Sequence, residues 1–166
     1  MTDKQIYRRK SQNIRTLLRQ VATSDFPARM KNRLAFELEV DEFVVDDTPV
    51  LIWRGDQLGK KAAGTALPLA GVLVLTNQRM RFAAVDDSAV VDVPVSAVRL
   101  THVEEGAMTI VWPGTSGKEA ATITFDSPRN QVMKRVRLQV LEGDKTVAAG
   151  PATPRVTTWD RLTRHR

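Results

Sequence analysis

At about Thr48 the spacing of apolar residues changes from a helical period to a period of two, and the strand period then holds as far as Phe125. The segments Pro49–Arg54, Gly71–Leu75, Arg79–Val85, Val90–Val93, Val98–Val103, Ala107–Trp112 and Ala120–Phe125 each read as a short strand. Turn formers separate them: Thr76-Asn77-Gln78, Asp86-Asp87-Ser88, Glu104-Glu105-Gly106 and Pro113-Gly114-Thr115-Ser116-Gly117. Pro94 divides two of the strands, because a proline in a central strand removes a ladder donor. Seven short strands at regular spacing predict a sandwich or a barrel.

Asp126-Ser127-Pro128 then predicts a helix start, and Gly143 a stop. Between them Val132, Met133, Val136 and Val140 form one apolar stripe, suited to plug the open end of a small barrel. Trp53, Met80, Phe82, Ile110, Phe125, Val132 and Val136 are the predicted shared core of barrel and helix.

Ahead of the strands, residues Thr2 to Thr23 predict an amphipathic helix striped by Ile14, Leu17, Leu18 and Val21. Ser24-Asp25-Phe26-Pro27 opens a second helix, from about Pro27 to Phe36. Beyond it Phe36, Leu38 and Val40 alternate with acids, as an extended segment or a fraying helix end does. The resulting division is a basic helical extension with an acidic linker over 1–47, a strand domain over 48–143 and a flexible basic tail over 144–166. Charge follows the same division. Nine bases oppose two acids between Met1 and Ala35, whereas Phe36 to Val50 carries six acids and no base. The net charge of +6 therefore says less than its arrangement, since the two blocks can pair with each other.

Seven strands followed by one amphipathic helix is the order of a pleckstrin-homology barrel. The stretch Gly71-Val-Leu-Val-Leu-Thr-Asn-Gln-Arg-Met-Arg-Phe82 resembles the G-h-L-h-L-T-x-x-R-h-x-F hairpin of bacterial PH-like and GRAM-like domains. Val91-Asp-Val-Pro-Val-Ser-Ala-Val98 resembles the strand that follows it in that group, and the helical N-terminus suggests the short bacterial and phage-borne, YokE-like members. The resemblance runs from about Val50 to Leu141. It implies a mainly β, α+β fold: a seven-stranded PH-like barrel capped by a C-terminal helix and preceded by one or two helices. It also implies a binding module, with homo-oligomerisation in keeping with the group. An excess of Arg over Lys, with abundant Ala and Val, fits a GC-rich bacterial or phage source.

Within the hairpin, Thr76 and Asn77 read as turn formers, and Arg79 and Arg81 as leaving the turn on the face opposite Met80 and Phe82. Phosphoinositide-binding PH domains place a base at the end of the first strand and a basic-x-Arg pair in the second. This chain has Arg54 and the Lys60-Lys61 pair, but Gly71 to Leu75 carries no base, so that pattern is not met. Arg15, Arg19, Arg54, Lys60 and Lys61 are the candidate anion-binding residues. Ile14, Leu17, Leu18 and Val21 are the candidate partner-binding residues, because a stripe of four such side chains costs free energy when exposed.

The inventory argues against catalysis. The chain has no cysteine, which removes disulfides, thiolate metal sites and cysteine nucleophiles. Two histidines, His102 and His165, give few nitrogen ligands for a metal, and no G-x-S-x-G elbow occurs. Gly55-Asp-Gln-Leu-Gly59-Lys60-Lys61 lacks the spacing of a phosphate loop. No catalytic residue, metal site, cofactor or small-molecule substrate is predicted. No apolar run reaches membrane-spanning length, the longest being broken by Pro68, and the N-terminus has no apolar signal segment. The expectation is a cytoplasmic module that contacts a protein partner or a second copy, with anionic membrane or nucleic acid as the alternative through the basic helix.

Overall fold

The computed structural model describes residues 14–35, 37–58, 68–86, 89–115, 117–146 and 156–159. Helix α1 is described over 14–23 and α2 spans Phe26–Ala35. The strands are β1 (Val44–Arg54), β2 (Leu69–Thr76), β3 (Arg79–Ala84), β4 (Val90–Pro94), β5 (Arg99–Glu104), β6 (Ala107–Gly114), β7 (Gly117–Thr124) and β8 (Val156–Thr158). A 3-10 turn, Val95–Ala97, joins β4 to β5, and helix α3 (Gln131–Thr146) follows β7.

All eight strands lie in one antiparallel sheet in the order β5-β6-β7-β1-β2-β3-β4-β8. The fold is mainly β with helices added. Alternation decides which side chains go inward. Val50 and Ile52 of β1, Met80 and Phe82 of β3, Met108, Ile110 and Trp112 of β6, and Ile123 of β7 meet in one cluster. Residues from both halves of the sheet share this core, so the sheet curves round it, and Val132, Met133, Val136 and Val140 of α3 complete it.

The opposite face of β2 and β3 forms a second, smaller cluster. Val72, Val74 and Ala83 pack there against Val21, Phe26, Met30 and Leu34 of the two N-terminal helices. The chain passes between those helices at Ser24, whose Oγ donates to Val21 O (2.7 Å) and accepts the Phe26 N–H (3.3 Å). Gly71 permits the close packing of β2 on β3. A Cβ there would lie 2.7 Å from the Phe82 ring and against the Ala83 carbonyl.

Five boundaries or placements differ from the sequence reading. β1 begins at Val44, inside the stretch read as acidic linker, because Asp46 and Asp47 stand opposite Leu75 and Val74 in the ladder. Residues 37–43 form turns, neither extended nor helical, with Asp41 at a positive φ of 62°. α3 starts at Gln131, because Asn130 is the capping residue: its Oδ1 accepts the Met133 N–H (3.1 Å) while its Nδ2 holds Thr48 (2.9 Å) and Asp126 (2.8 Å). The helix also runs past Gly143 to Thr146. Trp53 stands opposite Thr122 on the face away from Ile52 and is only half-buried, so it is not in the shared core.

The tail read as flexible contributes structure. β8 pairs with β4, and Trp159 behind it is buried in the main cluster. Residues 1–13 of the expected N-terminal helix lie outside the described residues, as do 147–155 and 160–166 of the tail. Among the described residues no helix is long and apolar enough to cross a membrane.

Candidate functional site

Val21 of the α1 stripe packs in the cluster on the chain's own sheet. Leu18 (1% exposed) and Val21 (7%) are buried, Ile14 is half-buried, and Leu17 stays on the rim at 42%. The stripe offered for a partner is thus largely occupied within the molecule, and Arg15 and Arg19 point to solvent. Further bases follow on α2, where Arg29 pairs with Asp25 (3.4 Å) and Lys31 with Asp47 (3.1 Å). Arg54 is exposed at the end of β1, and Lys60 and Lys61 lie outside the described residues. The described structure does not gather the candidate anion-binding residues into one site.

A buried charge network lies at the edge of the second cluster. Arg79 and Arg81 alternate with Met80 and Phe82, so they project from the helix-covered face of β3, where Asp92 of β4 stands opposite Arg81. The turn 37–42 folds over them. Arg79 grips Glu42 through Nε–Oε2 (2.8 Å) and Nη2–Oε1 (2.7 Å) and reaches Asp92 Oδ2 (2.9 Å) and the Glu37 carbonyl (3.1 Å). Glu42 also accepts the Thr76 hydroxyl (2.6 Å) and the Glu39 N–H (2.9 Å), and Arg81 pairs with Glu37. The hydrogen bond from Arg79 holds Glu42 below its ordinary pKa, and Arg81 does the same for Glu37. Burial pushes Asp92 the other way, above the ordinary aspartate value, against the pull of both arginines. Asp92 Oδ1 and Arg81 Nε have no protein partner. Glu37 and Glu42 clasp the N-terminal arm to the sheet through these two arginines. The sequence reading gave Arg79 and Arg81 a turn-side role and missed this clasp.

The opposite end of the sheet is built differently. Along β5, Leu100 stands opposite Ile110, but the register shifts by one at Thr101, so that His102 stands opposite Thr109 on the outer face. The loop after β1 folds onto that face. Asp56 accepts from His102 Nδ1 (2.7 Å), from the Thr109 hydroxyl (2.9 Å) and from the Leu58 N–H (3.0 Å). Thr122 extends the chain: its hydroxyl lies 3.2 Å from that of Thr109, donates to Gly55 O (2.9 Å) and accepts the Gln57 N–H (2.8 Å). Nothing in the sequence announces the bulge that brings His102 to this face.

β5 lies at one edge of the sheet. It is six residues long and, among the described residues, its ladder partner is β6 alone. Only Leu100 is even half-buried; Arg99, Thr101, His102, Val103 and Glu104 are exposed. The other sheet edge, β8, has three residues. A strand edge of β5's length presents a row of backbone donors and acceptors ready to pair.

No family model matches the chain, and no curated protein matches it. Among solved structures it is similar to the crystal structure of the C-terminal domain of an unknown protein from Leishmania infantum. Identity is 14% and the TM-score 0.45, over 69% of this chain and 98% of that chain.

Proposed function

We propose that the chain is a non-catalytic interaction module built on a PH-like barrel, and that it meets protein along β5. Three features support the barrel. Consecutive strands pair from β1 to β4 and from β5 to β7, β1 pairs with both β2 and β7, and α3 follows β7 with its stripe in the main core. β8 and the two N-terminal helices are additions to that plan. Within this reading the Asp56–His102 pair fastens the loop after β1 and is not a proton relay. The single observation that carries the reading is the exposed length of β5, because strand addition at an open edge supplies affinity through main-chain hydrogen bonds.

The test is a selection of random displayed peptides against the whole chain, with the binders mapped by backbone amide shifts. Binders that perturb β5, and lose affinity in a Thr101→Pro variant, support the reading. Binders that map elsewhere, or none at all, overturn it. A second reading, contact with anionic lipid or nucleic acid, draws on the outward bases Arg15 and Arg19. It requires binding that weakens steeply as salt rises, and that is abolished by Arg15→Glu with Arg19→Glu.

A further inference from the structure

We infer that the outer line of α3, with the turn beside it, is a second contact surface. Its occupant is an amphipathic helix of a partner protein, apolar on one face and acidic along the flank. The inference goes beyond the reading of β5 and does not depend on it.

Helix α3 is seated by the stripe that enters the main core. On its other side Lys134, Leu138 and Leu141 follow at i, i+4 and i+7, so they form one ridge along the helix. Leu138 is 59% exposed and Leu141 55%, although the core stripe alone already orients the helix.

A second pair of apolar side chains stands beside this ridge. Gln139 donates to the Thr76 carbonyl (3.4 Å), which sets the middle of α3 against the turn Thr76-Asn77-Gln78. That turn holds residues 40–43 by their backbone. Asn77 Nδ2 donates to Asp41 O (2.9 Å), Asn77 Oδ1 accepts the Phe43 N–H (2.8 Å), and Gln78 Nε2 donates to Val40 O (3.4 Å). Asp41 sits at a φ of 62°, a conformation uncommon outside glycine. With the backbone pinned in this way, Phe43 is 59% exposed and Val40 86%. Both side chains are turned out from a fixed frame. Four large apolar residues exposed around one turn mark a contact surface.

Charge identifies the occupant. Arg135 reaches Asp46 (3.8 Å), but Lys134 and Arg137 have no carboxylate partner among the described residues, and both are exposed beside the leucines. Acids on a partner meet them. The exposed carboxylates of Glu39 and Asp41 on the turn repel an anionic bilayer, so the mixed rim favours a protein. A ridge at i, i+4 spacing packs into the grooves of another helix.

The experiment selects among displayed helices of about 18 residues, long enough to hold their shape, with the intact chain as target. All share a leucine stripe and vary Glu, Gln and Lys along its flanks. Glu-flanked helices are expected to win and to shift the backbone amides of residues 40–43 and 134–141. Leu138→Gln with Leu141→Gln keeps helix propensity and weakens them by roughly tenfold or more. Lys134→Glu with Arg137→Glu turns the preference towards Lys-flanked helices by a similar factor. Thr101→Pro leaves this binding unchanged, so this surface and the β5 edge succeed or fail separately. Selection without charge preference, an absence of binders, or amide shifts elsewhere overturns the inference. So does sedimentation of the chain with vesicles of anionic lipid at physiological salt that the leucine variant abolishes, because the face then belongs to a membrane.

Discussion

The guanidinium of Arg79 and the carboxylate of Glu42, 37 positions apart in the chain, form a two-point ion pair whose side chains are 5% and 0% exposed. The pair fixes where the arm ends and the sheet begins. A buried pair adds little over apolar residues of the same shape, but removing one member strands the other without water. Arg79→Met is therefore expected to cost about 3–5 kcal/mol, measured by denaturant unfolding. Adding Glu42→Leu should recover part of that loss, because only Asp92 then remains to be neutralised, by Arg81. A double variant no better than the single one would show that the bonds to Thr76 and Glu39 matter more than charge.

The same network sets opposing pH dependences. Glu42 titrates below its ordinary 4.5 when folded, so its contribution is complete above 4.5 and is lost as pH falls through the folded value. Glu37 behaves alike. Asp92 titrates above its ordinary 3.8, so its contribution is complete below 3.8 and is lost as pH rises through the folded value. Unfolding midpoints between about pH 3 and 7 should respond in opposite senses. Glu42→Gln flattens the gain in stability with rising pH, and Asp92→Asn steepens it. Parallel curves for wild type and both variants would contradict these assignments.

The arm is expected to come away as a unit, because its cluster shares no residue with the main core. Leu34→Ala and Leu18→Ala each remove a side chain 1% exposed and should cost about 2–5 kcal/mol of arm docking. Leu17→Ala, on the rim, should cost about 0.5 kcal/mol or less. Hydrogen exchange provides the readout. Protection falls in α2 for the two buried positions, while the β6–β7 ladder keeps its own. Loss of protection throughout would mean that arm and sheet fold as one unit.

Legibility from sequence followed the range of the interactions involved. The strands, the hairpin at Thr76-Asn77 and the stripe of α3 rest on local alternation and turn chemistry, and the structure places them within a few residues of the reading. The clasp did not show, because Glu42 meets Arg79 only after the sheet has formed, and the six acids were set against the N-terminal basic block instead. β8 was hidden by a composition of Ala, Gly, Thr and Pro, in which one tryptophan supplies the anchor. Trp53 was misplaced by parity alone: Val50 and Ile52 face the core, so their neighbour cannot. The bulge that sets His102 opposite Thr109 is one residue long, and no periodicity announces it.

Gly71 is the position where the hairpin tolerates least. Its φ is ordinary, so backbone freedom is not the reason. The reason is space, since a methyl group would press on the Ala83 carbonyl and lie 2.7 Å from the Phe82 ring. Backbone cannot yield as a flexible side chain can, and Phe82 is packed in the main core. Gly71→Ala should destabilise by about 3 kcal/mol or more. A midpoint within error of wild type would show that β2 and β3 can separate at little cost.

Trp159 is the residue through which the tail belongs to the fold. β8 contributes three residues to the ladder, too few to hold themselves, and Val156 in it is 48% exposed. Trp159, at 6% exposure, sits in the cluster that also contains Val91, Val93 and Phe82. Truncation to alanine leaves a void in that cluster whether or not β8 then lets go of β4. Detachment can spare the ordering cost of the tail, but it cannot refill the core. Trp159→Ala is therefore expected to lower global stability by about 3–5 kcal/mol, with lost amide protection along the β8 side of β4. Val156→Ala, at an exposed position of β8, should stay within about 0.5 kcal/mol. If Trp159→Ala matches wild type in midpoint while β4 alone loses protection, the tryptophan covers an edge and does not complete the core.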